Sequence, residues 1–159
     1  PLSAELSLLD DYFTIQKYRY GGTISLEYRI DDEAALSCLI PRFTFQPVVE
    51  NSIFHGIEPK GTPGTITIHI FRKNDAILQI DITDDGVGMT PEQLETILDK
   101  KESDAESTKI GVYNVNERLQ LFFGPDAVMK YYSTPGKRTM VMLVLPIVRE
   151  KEENSHAEG

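Results

Sequence analysis

Residues 64–89, GTITIHIFRKNDAILQIDITDDGVGM, contain two runs of strict alternation. Ile66, Ile68 and Ile70 alternate with Thr67 and His69, and Leu78, Ile80 and Ile82 alternate with Gln79 and Asp81. Successive side chains on a strand point to opposite faces, so each run predicts a strand with one face toward a core. The residues RKNDA at 72–76 join them as an antiparallel hairpin.

Outward from this hairpin the period changes. The GTPG stretch at 61–64 reads as a loop, and before it Phe45, Val48, Val49 and Ile53 outline a helix from Pro41 to near Gly56. Pro47 would bend or delay that helix, so its regular part is expected to begin near Pro47. Ile24, Leu26, Tyr28 and Ile30 alternate with Ser25, Glu27 and Arg29 and predict a strand ended by a turn at 31–33. Leu2, Leu6, Leu9 and Phe13 recur at helical spacing, and Gly21-Gly22 ends that amphipathic helix.

Downstream, residues 90–109 hold a short helix and then a charged, Ser-rich stretch too poor in apolar residues to pack, which reads as a mobile flap. From Ile110 to Phe123 helical spacing returns through Val112, Val115, Leu119 and Phe122, closed by Gly124-Pro125. Two strands follow at 127–133 and 138–147, the last apolar on both faces and expected to be central. The tail REKEENSHAEG is polar and expected to fray. Helix, strand, helix, two strands, helix and two strands describe an α/β (α+β) two-layer sandwich, with helices on one face of a mixed, mainly antiparallel sheet.

The 159 residues suit one compact domain, and 40% hydrophobic with 26% charged residues excludes a wholly disordered chain. Lys and Arg number 16 against 25 Asp and Glu, a net charge of −9, which is the wrong sign for attraction to nucleic acid or anionic membrane. A bound phosphate must therefore meet a local site. Cys38 is the only cysteine, so no intrachain disulfide forms, and three scattered histidines give no zinc spacing. No run of about 18 apolar residues is present, and the first residues lack the order of a signal peptide. The chain begins at Pro1 inside a helix, which is expected of a segment cut from something longer, with any membrane spans outside it.

Three features depart from a plain core pattern. Glu50-Asn51 and His55-Gly56 lie on the second helix, where Asn51 and His55, four apart, share a face. A carboxamide beside an apolar face can offer its oxygen to a hard cation such as Mg²⁺; the plainer alternative is a polar stripe facing water. Asp84-Asp85-Gly86-Val87-Gly88-Met89 follows an apolar strand. Glycines there permit close backbone approach, and a strand-end carboxylate can accept a hydrogen bond from an exocyclic amine, although an Asp-Gly turn has the same composition. Lys109, Ile110, Gly111 and Val112 stand where the flap meets a helix, and free amides at a helix start make an anion site unless the start is an ordinary one.

Taken in order, FQPVVENSIFHG (45–56), DITDDGVGM (81–89), TKIGVYNVNERL (108–119) and GKRTMVMLVLP (136–146) resemble the N, G1 and G2 boxes and final strand of the GHKL ATP-binding fold. The LytS/YesM-like sensor histidine kinases of bacterial two-component signalling are the most similar, and residues 1–20 resemble their linker helix from a dimerisation and phosphoacceptor domain. The resemblance implies an ATP-binding domain over 21–148, an ATP lid at about 90–109 and a tail at 149–159. It implies that Asn51 coordinates the Mg²⁺ bridging the ATP phosphates, with Glu50 and His55 on the same helix face. Asp84 would accept from the adenine amino group, with Gly86, Gly88 and Met89 around the base and Thr139 near it. Lys109, Ile110, Gly111 and Val112 would hold the phosphates.

The sequence departs from that family at four positions. Phe54 stands in place of a common lysine, Lys109 replaces the first G2 glycine, Tyr113 occupies an often basic position, and Arg138 replaces a glycine. Lys109 or Arg118 is expected to restore the missing charge. The resemblance further implies transfer of the γ-phosphoryl to a histidine upstream of this segment, relay to a response regulator, and a homodimer only in the complete kinase. The domain would face the cytoplasm while the whole protein sits in the membrane. Two alternatives stand beside this: a degenerate nucleotide-binding or signalling domain without efficient catalysis, and another GHKL ATPase or a serine kinase. For the ATPase, the family's hydrolytic glutamate would fall at Pro47, which cannot activate water.

Overall fold

A computed structural model describes residues 1–97 and 107–151, with 107–110 as backbone only. Helix α1 (Leu2–Arg19) buries Leu2, Leu6, Leu9 and Phe13, the residues whose spacing predicts it. It packs into the same core as the rest of the fold. Gly21 and Gly22 then turn the chain at φ of 63° and 78°, a region that glycine enters without a Cβ clash. Strand β1 (Ile24–Ile30) follows, and a 3₁₀ turn at Glu33–Ser37 is capped by the Asp32 carboxylate, which accepts from the Ala34 N–H at 2.9 Å.

Helix α2 (Phe45–Asn51) begins two residues before Pro47, correcting the expected start. Proline lacks an N–H, but in the first turn that group would have no intrahelical partner, so Pro47 costs the helix no ladder bond. Nor does the rod stop at Gly56. It continues as a π-helical segment, Ser52–Ile57, and as α3 (Glu58–Lys60), until Gly61 at φ 71° ends it in the left-handed conformation.

The predicted hairpin forms from β2 (Gly64–Arg72) and β3 (Ile77–Asp84), which pair antiparallel. A short α4 (Pro91–Thr96) opens on a reciprocal cap between Thr90 and Gln93. Helix α5 (Ser107–Phe123) begins three residues before the expected Ile110. Strands β4 (Val128–Thr134) and β5 (Arg138–Pro146) complete a sheet of order β1-β2-β3-β5-β4, parallel only between β1 and β2. The last strand is interior as expected, but β3 takes the middle position. Thr139, Val141, Leu143 and Leu145 of β5 are buried, and Met140, Met142 and Val144 on its other face are half-buried, because helices cover one side of the sheet.

Ile66, Ile68, Ile70, Ile80 and Ile82 point into that helix layer, where they meet Phe45, Val48, Val49 and Ile53 from α2 with Val112, Val115 and Leu119 from α5. Each such side chain contributes about 1.5–3 kcal/mol of burial energy. This packing fixes α2 over the end of the sheet where β3 finishes.

Candidate functional site

Register places three polar residues in a row across one end of the sheet. Asp84 at the end of β3 pairs with Thr139 of β5, and Thr139 pairs with Ser133 of β4. By strand parity all three share the helix-facing side with Ile82 and Val141. Asp84 is 2% exposed, and its carboxylate accepts from the Gly86 N–H at 3.0 Å and from the Ser52 hydroxyl. Burial pushes its pKa above the usual carboxylate value; the two hydrogen bonds oppose that rise and the nearby Asp85 charge adds to it.

Three glycines let the backbone close around this carboxylate. A Cβ on Gly56 would sit 2.7 Å from Asp84 Oδ1, and one on Gly86 would sit 2.3 Å from the Gly56 carbonyl carbon. Gly88, at φ 70°, would place a Cβ 2.3 Å from the Thr134 oxygen. The sequence reading has Gly86 and Gly88 making room for a ligand; the close approach they permit here is of chain to chain. The Val87 N–H donates to the Gly56 oxygen at 2.9 Å, the Gly136 N–H to the Val87 oxygen at 2.6 Å, and the Met89 N–H to Ser133 Oγ at 2.7 Å. Loop 86–89 is thus tied to the π-helical segment on one side and to the β4–β5 turn on the other.

Against this loop lies a cavity of about 410 Å³ lined by Asn51, His55, Val87, Gly88, Met89 and Ile97, among others. Asn51 is only 9% exposed, and its carboxamide has no hydrogen-bond partner among the described residues, so its oxygen is available to the cavity. His55 is exposed on the same wall. Four of the residues singled out in the sequence, Asn51, His55, Gly88 and Met89, therefore meet at one cavity, with Asp84 and Thr139 behind its loop wall.

The others do not join them. Glu50 and Gly111 line a separate groove of about 490 Å³ between α2 and α5, with Phe43, Pro47, Arg118 and Leu121. Gly111 and Val112 are the fifth and sixth residues of α5 (Ser107–Phe123), within its helical ladder. Val112 is fully buried in the core, and the side chains of Lys109 and Ile110 lie outside the described residues. The Arg118 guanidinium, on the wall of that groove, donates to the Arg42 and Phe43 carbonyls at 3.1 and 2.8 Å. Phe54 turns toward α1, with the Arg19 guanidinium 6.0 Å from its ring. Residues 98–106 of the expected lid and 152–159 of the tail also lie outside the described residues.

Residues 41–149 match the model of the histidine kinase-, DNA gyrase B- and HSP90-like ATPases. The chain belongs to that family. Within the ATPase family it is 31% identical over its full length to the sensor protein LytS of Bacillus subtilis, covering 26% of that protein. It is 37% identical over 92% of its length to LytS of Oceanobacillus iheyensis, covering 25%, and 31% identical over 94% to the sensor histidine kinase YesM of Bacillus subtilis, covering 24%. The chain thus spans about a quarter of the length of the curated relatives it matches. Among solved structures, the catalytic domain of histidine kinase ThkA superposes with a TM-score of 0.66 at 16% identity, covering 90% of this chain and 95% of that one. The mycobacterial sensor histidine kinase MprB gives 0.64 at 15%, covering 91% and 95%. These two likenesses bear on the fold, and they agree with the two-layer sandwich.

Two contacts of this ATPase-family site are not legible in the sequence. Gly56 against Asp84 depends on the π-helical segment, and Ser133 beneath Met89 depends on strand register. The shared parity of 133 and 139 across a short turn is the one local signal that could have pointed to Ser133.

Proposed function

We propose that this domain binds Mg-ATP in the cavity between Asn51 and loop 86–89 and is the ATP-binding kinase domain of a LytS/YesM-like sensor histidine kinase. The observation that carries the reading is Asp84: a carboxylate buried at a strand end, held by two donors, behind a cavity whose other wall presents an unpartnered carboxamide. Asp84 is an acceptor for the adenine amino group, with Thr139 beside it and Gly86, Gly88 and Met89 forming the wall against the base. Asn51 offers a neutral hard oxygen of the kind Mg²⁺ accepts. Among the described residues no group of three His, Cys, Asp or Glu converges, which suits a metal held mostly through nucleotide phosphates. When bound, Mg²⁺ would neutralise phosphate charge during transfer, while the chain positions and desolvates the nucleotide.

The phosphoryl acceptor in this reading is a histidine outside the 159 residues. His55 lines the cavity wall and His69 pairs with Asp31 at 2.8 Å on a distant part of the sheet, so neither is placed as an acceptor substrate. The chain's acceptor partners are then the dimerisation and phosphoacceptor domain and, through it, a response regulator, in a dimeric protein whose kinase domain faces the cytoplasm. No helix of the described residues is long and apolar enough to cross a membrane. A second reading, nucleotide binding without efficient transfer, draws support from Gly111 and Val112 lying within the helical ladder and from Arg118 being committed to carbonyls.

Calorimetric titration with a non-hydrolysable ATP analogue, with and without Mg²⁺, tests the proposal. The analogue should bind, and Mg²⁺ should strengthen binding in the parent but not in Asn51→Ala. A folded parent that binds no analogue at millimolar concentration would overturn it.

A further inference from the structure

The face of the sheet turned away from the helices divides in two. On β1 and β2 it carries Glu27 and Arg29 beside Thr67 and His69, and its charges are paired locally: His69 Nε2 lies 2.8 Å from Asp31, and Arg29 Nε 3.3 Å from the same carboxylate. On β3, β5 and β4 the same face is largely apolar. Register sets Ile77 beside Pro146, Gln79 and Val128 beside Val144, and Thr83 and Tyr132 beside Met140. Between the last two rows runs a charged one, Asp81, Met142 and Lys130, with Met142 in the middle. Tyr132 is 47% exposed, Lys130 is exposed, and Met140, Met142 and Val144 are half-buried among their neighbours. A continuous apolar stripe open to water marks a contact surface, and the flexible thioether of methionine suits one.

The charged row says what meets it. Adjacent strands lie about 4.8 Å apart, so Asp81 and Lys130 stand about 10 Å from each other across β5. Asp81 is held along its own strand by Gln79 Nε2 at 2.9 Å, which fixes its direction. Two sheets packed face to face keep their strands roughly aligned at about 10 Å separation. A second copy laid on the first about a two-fold axis running along β5 exchanges left for right. Each Lys130 then lies over the partner's Asp81, and Met142 over its own counterpart. A two-fold axis across the strands would instead set Asp81 over Asp81 and Lys130 over Lys130. Opposite charges favour the first arrangement, and like charges reject the second. The first also overlaps three strands with three, so the polar face of β1 and β2 projects beyond the contact and stays in water.

We infer that the open face of β3, β5 and β4 is an isologous interface for a second copy of this chain, with its register set by two Asp81–Lys130 pairs across the two-fold axis. Three short strands give a contact at the low end of specific interfaces, and a correspondingly weak one. The cavity of Asn51 and loop 86–89 lies on the helix side, so pairing leaves it open. In a dimeric protein of the kind proposed above, tethering brings two copies to an effective concentration of about a millimolar and populates a contact this weak. The pairing itself does not depend on what the cavity binds.

Sedimentation velocity of the 159-residue chain from micromolar to millimolar concentration tests the interface. The parent should dimerise reversibly in the upper part of that range. Asp81→Lys and Lys130→Asp should each weaken the dimer by about tenfold or more, because each sets two pairs of like charges face to face. The double variant Asp81→Lys with Lys130→Asp should return to within about threefold of the parent, the mark of a direct pairing. The four methionine methyls, labelled for NMR, identify the face. On dilution the Met140 and Met142 signals should shift, while those of Met89 in the cavity wall and Met129 in the core should not. A parent that stays monomeric at millimolar concentration would overturn the inference. So would a double variant that unfolds as late as the parent yet dimerises no better than the single ones, or a dimer that leaves the Met140 and Met142 signals in place.

Discussion

Glu50 and Asn51 are consecutive in sequence and open onto different cavities on either side of α2. On the Asn51 side the loop and the carboxylate behind it are oriented by partners: Asp84 by Gly86 and Ser52, Met89 by Ser133, and Val87 by Gly56 and Gly136. On the Glu50 side the wall includes Leu121, 87% exposed, and Phe43, a non-glycine residue at φ 58° whose carbonyl is held by Arg118. The two spaces are close in volume, so size does not separate them. What separates them is preorganisation, because a site acts on a ligand through groups that are already desolvated and fixed in direction.

The largest expected effect breaks the ordered side directly. Gly86→Ala drives a Cβ to within 2.3 Å of the Gly56 carbonyl carbon, and backbone cannot yield as a flexible side chain does. Destabilisation of about 2–3 kcal/mol and a Tm lower by about 5–10 °C are expected in thermal unfolding, with loss of nucleotide binding. Asp84→Asn should weaken an adenine nucleotide by about 10- to 100-fold, the range for a hydrogen bond to a charged group. The same substitution should raise Tm by about 2–4 °C, because it removes a charge that burial disfavours.

The pH dependence follows from the same carboxylate. Burial raises the folded pKa of Asp84 above its unfolded value, so the ionised acceptor exists above the folded pKa and is lost as pH falls through it. Nucleotide affinity measured from pH 8 downward should therefore fall at a higher pH than an ordinary carboxylate would give, and the profile should flatten in Asp84→Asn. The contribution to stability runs the other way: folding favours the protonated group, so this residue's penalty on the fold eases as pH falls.

On the Glu50 side the effects are smaller and touch stability rather than binding. Arg118→Ala leaves two carbonyls without their donor and should cost about 1 kcal/mol in denaturant unfolding, with nucleotide affinity within about twofold of the parent. Gly111→Ala makes the sharpest contrast with Gly86. Its Cβ would lie 3.4 Å from Pro47 Cβ, an ordinary contact, inside a helix where alanine is favoured by about 0.5–1 kcal/mol. The variant should unfold slightly later than the parent.

Much of the architecture is legible in local pattern. The alternation at 66–70 and 78–82 gives the hairpin, and the spacing of Leu2, Leu6, Leu9 and Phe13 gives the buried stripe of α1. Pro47 misleads because its effect depends on where the helix starts, which packing decides. Gly86 and Gly111 look alike in sequence, and only long-range approach separates a glycine with backbone against it from one without. Gly56 carries no local signal of its role, which depends on a widened helical turn, and Ser133 carries only its parity with Thr139, since its role depends on register between strands.

The comparison of the two cavities is tested most directly by following backbone amide NMR shifts of the labelled chain during titration with ADP and Mg²⁺. The account predicts the largest changes at Asn51, Gly56, Gly86–Met89 and Thr139, with Phe43, Gln46, Arg118 and Leu121 little affected. Changes centred on the groove of Glu50 and Arg118, with loop 86–89 unmoved, would contradict it.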